Sequence, residues 1–172
     1  MNFLIENGLM FMEQGNKLYI PAIEDMKEEV DLDKKTSTSV FQEVEGNFEI
    51  NARVVPENIS FTDSFEIYVD DGFTKGYLKQ DVKCGKCRVF SGINDMFNME
   101  NEKHFLDSDD ICIKLIKKYG RVETYVSTDG NEYIYCGHFK MDADKVKIGF
   151  KAESFQGNNF MVKVENLDFI SI

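Results

Sequence analysis

The chain has no tryptophan, only two prolines, and far fewer basic than acidic residues: 20 Lys and Arg against 31 Asp and Glu, a formal net charge of -11. Each shortage excludes something. Nucleic-acid backbones and anionic membrane surfaces are held by clustered Lys and Arg, so neither is an expected partner. No stretch approaches the roughly 18 apolar residues of a membrane span. The first residues, Met1-Asn2-Phe3-Leu4-Ile5-Glu6-Asn7-Gly8, carry neither a basic segment nor an apolar run of signal length, so the expected location is the cytoplasm. There the four cysteines should be thiols. No repeat, linker or sustained helical period interrupts the 172 residues, and one domain over 1–172 is expected.

What is plentiful points to strands. Phe (15) and Tyr (7) are abundant and 42% of residues are hydrophobic, a composition that folds and leans towards β-structure. Leu9 to Gln14 and Lys17 to Ile20 read as a hairpin about Gly15-Asn16, ended by Pro21, which cannot donate to a ladder. Residues 22–37 are polar and suit a helical turn or a loop. Thr38 to Val44 reads as a strand. Phe48, Ile50, Ala52 and Val54 then alternate with Glu49, Asn51 and Arg53 until Pro56-Glu57-Asn58 breaks the run. Phe65, Ile67 and Val69 alternate with Glu66, Tyr68 and Asp70. Tyr77 to Val82 and Arg88 to Ser91 read as strands, and residues 92–109 as a long surface loop. Ile111 to Leu115 turns at Tyr119-Gly120 into Arg121 to Ser127, and Thr128-Asp129-Gly130-Asn131 is a strong hairpin signal. Tyr133 to Cys136, Val146 to Ala152 and Phe160 to Ile170 follow. The fold class predicted is all-β, a two-sheet antiparallel sandwich.

Metal and nucleophile chemistry finds little support. Cys84-Gly85-Lys86-Cys87 with Cys136-Gly137-His138 offers zinc-ligand types, but without a second CxxC. The same residues suit a hairpin with Gly85-Lys86 as its two-residue turn and the cysteines facing each other. Asp107-Ser108-Asp109-Asp110 is rich in oxygen but lacks the spacing of a calcium loop. His104, in the long loop, and His138 have no serine elbow beside them. No cofactor is expected.

Three segments carry a resemblance: Gly8 to Pro21; Phe41 to Val54 with Glu66 to Asp71; and Ile111 to Gly130 with Lys147 to Ser154. In that order they resemble the domain family described around the fungal regulation-of-enolase protein, within the concanavalin A-like lectin/glucanase superfamily. Its hallmark is a Ser-x-Asp-Gly hairpin, here Ser127 to Gly130. Where that family has Trp three residues after the Gly, and at the second position of the preceding strand, this chain has Tyr133 and Cys112. The resemblance implies a concanavalin A-like jelly roll and no proven activity.

Glucanases of that superfamily place carboxylates on alternate residues of one strand, so that an acid and a nucleophile flank one glycosidic bond. Here Glu66 and Asp70 share a face but stand roughly 13 Å apart along the strand, beyond the roughly 5–9.5 Å of a hydrolytic pair. A glycosidase is therefore disfavoured. What remains is a surface of outward rings and charges: Glu66, Tyr68, Asp70, Tyr77, Lys79, Arg88, Phe90, Arg121, Glu123 and Tyr125. Rings stack on the apolar face of a pyranose and planar polar groups hydrogen-bond its hydroxyls. Two functions stay open: a non-catalytic, lectin-like carbohydrate-binding module, or an intracellular interaction or regulatory protein with a protein partner.

Overall fold

Alternation of apolar and polar side chains sorts each strand into an inward and an outward face, and two sheets meeting on their inward faces bury the apolar set. The computed structural model describes residues 2–8, 10–22, 35–93, 103–155 and 160–172. Their fourteen strands form two seven-stranded sheets, every pairing antiparallel. The first sheet contains β1 (Leu4–Asn7), β4 (Lys35–Glu45), β6 (Asp63–Asp70), β7 (Lys75–Lys83), β8 (Lys86–Ile93), β9 (His104–Leu106) and β13 (Lys145–Phe155), in the order β1-β4-β13-β6-β7-β8-β9. The second contains β2 (Met12–Gln14), β3 (Lys17–Ala22), β5 (Phe48–Glu57), β10 (Ile111–Lys118), β11 (Arg121–Ser127), β12 (Ile134–Lys140) and β14 (Phe160–Ser171), in the order β12-β11-β10-β5-β14-β3-β2.

The core lies between them. Phe65, Ile67 and Val69 of β6 and Val146, Ile148 and Phe150 of β13 belong to the same buried cluster as Phe48, Ile50 and Val54 of β5 and Ile111, Ile113 and Leu115 of β10. Each such side chain contributes about 1.5–3 kcal/mol by leaving water. Two polar side chains on the inward faces find partners there. Lys117 donates to the Gly46 carbonyl at 3.0 Å, and Asp63 accepts from the Ser154 hydroxyl at 2.5 Å.

Several local expectations are corrected. Neither proline ends its strand. Pro21 lies within β3 at a point where β2, which pairs only up to Tyr19, has already stopped. Pro56 lies beyond Val54, the last β5 residue paired with β10. Both occupy stretches with a neighbour on one side only, where a missing N–H is tolerated. The β7–β8 turn is Cys84-Gly85 rather than Gly85-Lys86, so Cys87 lies opposite Val82 and not Cys84. His104 is in a short strand, β9, paired with Val89. β4 starts at Lys35, and β12 at Ile134 rather than Tyr133. Residues 23–34 and 94–102 of the 22–37 and 92–109 segments lie outside the described residues.

Candidate ligand-binding surface

The predicted surface residues divide between the outer faces of the two sheets. Glu66, Tyr68 and Asp70 of β6 stand opposite Lys79, Tyr77 and Lys75 of β7, and Arg88 and Phe90 of β8 stand opposite Asp81 and Lys79. This face of the first sheet is largely closed. Tyr68 is 0% exposed and forms a buried cluster with Tyr77 and Phe90. Tyr68 lies over Gly149 of β13 so closely that a Cβ there would be 2.0 Å from the ring, and the Tyr77 hydroxyl lies over Gly92 in the same way. Lys75 caps the Tyr68 ring at 4.1 Å, and the Arg88 guanidinium sits 4.8 Å from the Phe90 ring centroid while holding Asp81. Asp70 accepts from the Gly72 N–H at 2.6 Å and so serves the turn into β7. These rings present no open face for a sugar to stack on.

The closed face also contains residues that reading along single strands missed. Glu153 of β13 lies opposite Ser64, and Lys151 opposite Glu66, so Glu66 and Glu153 are diagonal cross-strand neighbours, with Cβ atoms within about 7–8 Å. Lys75 pairs with Glu66 at 2.9 Å, while Lys151 and Lys79 approach Glu153 at 2.7 and 3.9 Å. Both carboxylates are buried and paired with lysines. The outward alternation of Lys147, Lys151 and Glu153 in β13 was the available signal.

The outer face of the second sheet is different. Arg121, Glu123 and Tyr125 alternate along β11, with Tyr125 opposite Tyr135 of β12 and Glu123 opposite His138. Tyr125 and Tyr135 meet edge to face at 5.5 Å, and Tyr135 remains 43% exposed. Their polar ends are fixed: Tyr125 donates to Glu123 at 2.6 Å, Arg121 pairs with Glu123 at 3.1 Å, and Tyr135 Oη lies 2.6 Å from His138 Nδ1. The bond to Glu123, with partial burial, pushes the Tyr125 phenol up to about 12, so it stays protonated and donating at neutral pH. A cleft of about 410 Å³ adjoins this strip. Cys112 and Tyr133, at the two positions where the resemblance expects Trp, both line it. The three candidate cations Lys79, Arg88 and Arg121 do not cluster, because Arg121 is on the other sheet.

The metal-ligand types are dispersed. Cys84 is exposed in its turn, Cys87 and Cys136 are buried, and burial pushes both of those thiols up to about 12. His138 is exposed, facing the opposite way from Cys136 along β12. Asp107 approaches Lys86 at 3.5 Å, whereas Asp110 pairs with Arg53 at 2.8 Å. Among the described residues, no group of three or more His, Cys, Asp or Glu is gathered to hold a metal.

No protein-family model matches the chain, and no curated protein matches its sequence. Solved structures do resemble it. A functionally unknown protein from Saccharomyces cerevisiae aligns with a TM-score of 0.74 and 15% identity, over 99% of this chain and 96% of that one. The Emp47p carbohydrate recognition domain aligns at 0.60 and 11% identity, over 99% and 88%. A prokaryotic β-1,3-1,4-glucanase (lichenase) from a mouse hindgut metagenome aligns at 0.64 and 9% identity, over 98% and 92%. With its two facing antiparallel sheets, the chain has the concanavalin A-like jelly-roll fold of lectins and glucanases.

Proposed function

We propose that this protein is a non-catalytic carbohydrate-binding module that binds sugar on the outer face of the second sheet. The observation that carries this reading is the pair of accessible rings, Tyr125 and Tyr135, held in place by Arg121, Glu123 and His138. Rings of fixed orientation lose little entropy on binding, and the planar groups beside them match sugar hydroxyls. In this reading Arg121, Glu123 and Tyr125 contact the ligand. Glu66, Tyr68, Asp70, Tyr77, Lys79 and Arg88 form the closed face instead. The Emp47p domain, named for carbohydrate recognition, shares the fold and supports the class of ligand. Membership of the regulation-of-enolase-like family is part of the same proposal, supported by the Ser127 to Gly130 hairpin.

A glycan array followed by calorimetry tests this. Tyr125→Ala and Tyr135→Ala should each weaken binding about tenfold, as expected for losing about 1.5 kcal/mol of ring contact, while Lys79→Ala leaves it unchanged. Loss in Lys79→Ala with none in the tyrosine variants would move the site to the first sheet. Absence of binding to any saccharide at millimolar concentration would remove the reading in favour of a protein-interaction role.

A further inference from the structure

The cleft beside the tyrosine strip has two built rims and a floor. One rim is the β11–β12 connection. Its Asp129 accepts from the N–H groups of Asn131 and Glu132 at 2.8 and 3.1 Å and from the Ser127 hydroxyl at 2.8 Å. The other rim is a bulge in β14. Glu165 lies opposite Arg53 and Asp168 opposite Asn51, so three residues span two and one is extra. Asn166 takes a positive φ of 51° there and is thrown outward, while Leu167 turns into the core. Bulges re-aim side chains in this way. Between the rims lie the short side chains of Asn51 and Cys112 and the guanidinium of Arg53. The volume of about 410 Å³ falls in the range of small-molecule sites.

The cleft lies next to the strip on the outer face of the second sheet. Cys112 and Lys114 are successive outward positions of β10, opposite Ser127 and Tyr125 respectively, a step of about 7 Å. Lys114 also sits 4.4 Å over the Tyr133 ring. From Ser127 to Arg121 the surface follows β11 for roughly 20 Å, longer than a single sugar ring. Charge selects among ligands. Arg53 faces Asp110 at 2.8 Å and Glu165 at 3.8 Å, Lys163 also holds Glu165 at 2.9 Å, and the carboxylates of Asp129 and Asp168 stand nearby against the single ammonium of Lys114 over Tyr133. An anionic sugar would meet repulsion there.

We infer that the cleft extends the tyrosine strip into one track, and that the ligand is a linear, uncharged oligosaccharide rather than a single sugar. This rests on the carbohydrate-binding reading above. The test is calorimetry with neutral cello-, laminari-, xylo-, malto- and manno-oligosaccharides of two to six units, with oligogalacturonate as the anionic probe. For whichever series binds, the hexasaccharide should bind at least tenfold more tightly than the disaccharide. Arg53→Gln and Asn166→Gly should each remove most of that gain, and Asn166→Gly does so without disturbing a backbone that needs positive φ. Hexasaccharide, but not disaccharide, should slow alkylation of Cys112, read by peptide mapping. Equal affinity for two and six units, a gain untouched by both variants, or oligogalacturonate binding as tightly as the neutral hexamer would overturn the inference while leaving the strip reading intact. No binding of any saccharide would end both.

Discussion

On Tyr68 the ring and the hydroxyl are satisfied by different neighbours. The ring occupies the space left by Gly149, and the hydroxyl donates to Glu6 at 2.6 Å with Ser39 at 2.9 Å. Gly149→Ala would force the ring off its seat, and overpacking of this kind costs about 1–3 kcal/mol. Urea denaturation should show that loss; a midpoint equal to wild type would refute the packing argument. Glu6 completes the network from β1. Burial alone would raise its pKa, but the hydrogen bonds from Tyr68 and Ser39, aided by Lys147 and Lys75, hold it below the ordinary carboxylate value. A depressed folded pKa adds stability above the unfolded value, and the gain is lost as pH falls through the folded one. Glu6→Gln should therefore be less stable than wild type at neutral pH, and the gap should close in the acidic range below the ordinary glutamate value. A gap constant across that range would show that charge plays no part.

Two hairpins show what a strand pair needs from its turn. Tyr119-Gly120 and Cys84-Gly85 both have positive φ at both central residues: 52° and 72°, and 53° and 71°. Such turns match the twist of the flanking strands and favour Asn-Gly. Cys84→Asn should raise stability by about 0.5–1 kcal/mol and Cys84→Val lower it by at least as much, read as opposite shifts in urea midpoint at constant m-value. Equal midpoints would mean the turn bears no strain. The first hairpin was legible because Lys118 and Arg121 flank it without ambiguity. The second turn lies one residue earlier than Gly85-Lys86, since Gly can take either central position in a short turn. Burial of Cys87 and Val89 on the inward face then sets the register, and that requires the opposite sheet. The prolines follow the same logic. Pro21 and Pro56 looked like terminators, but their neighbouring strands stop first, which only strand pairing reveals.

Strand order ties the whole molecule to its last segments. β14 lies between β5 and β3, and β13 between β4 and β6, so both sheets have interior strands drawn from the end of the chain. Deleting Phe160–Ile172 should leave β5 and β3 unpaired along one side and abolish cooperative thermal unfolding followed by circular dichroism. A retained cooperative transition would show that the sheets tolerate the gap. The same nonlocal pairing places folding among the slower topologies.

Period-two alternation is sufficient to assign β5, β6, β7, β10 and β11 their inward and outward sides, because it depends only on residues within each strand. Phe65 to Val69 and Ile111 to Leu115 face the core as their spacing requires. Accessibility was another matter. Tyr68 and Tyr125 look equivalent in sequence, each flanked by charges on an alternating strand. One is sealed by Gly149 and Glu6, which come from distant parts of the chain, and the other stays available beside Tyr135. Arg88 and Arg121 likewise belonged to one candidate surface until strand order put them on different sheets. The missing tryptophans acquire a location in the same way: Cys112 and Tyr133 become two walls of one cleft only when the hairpin folds back over β10. A strand's own chemistry decides which way a side chain points, whereas its cross-strand neighbours decide whether anything can reach it.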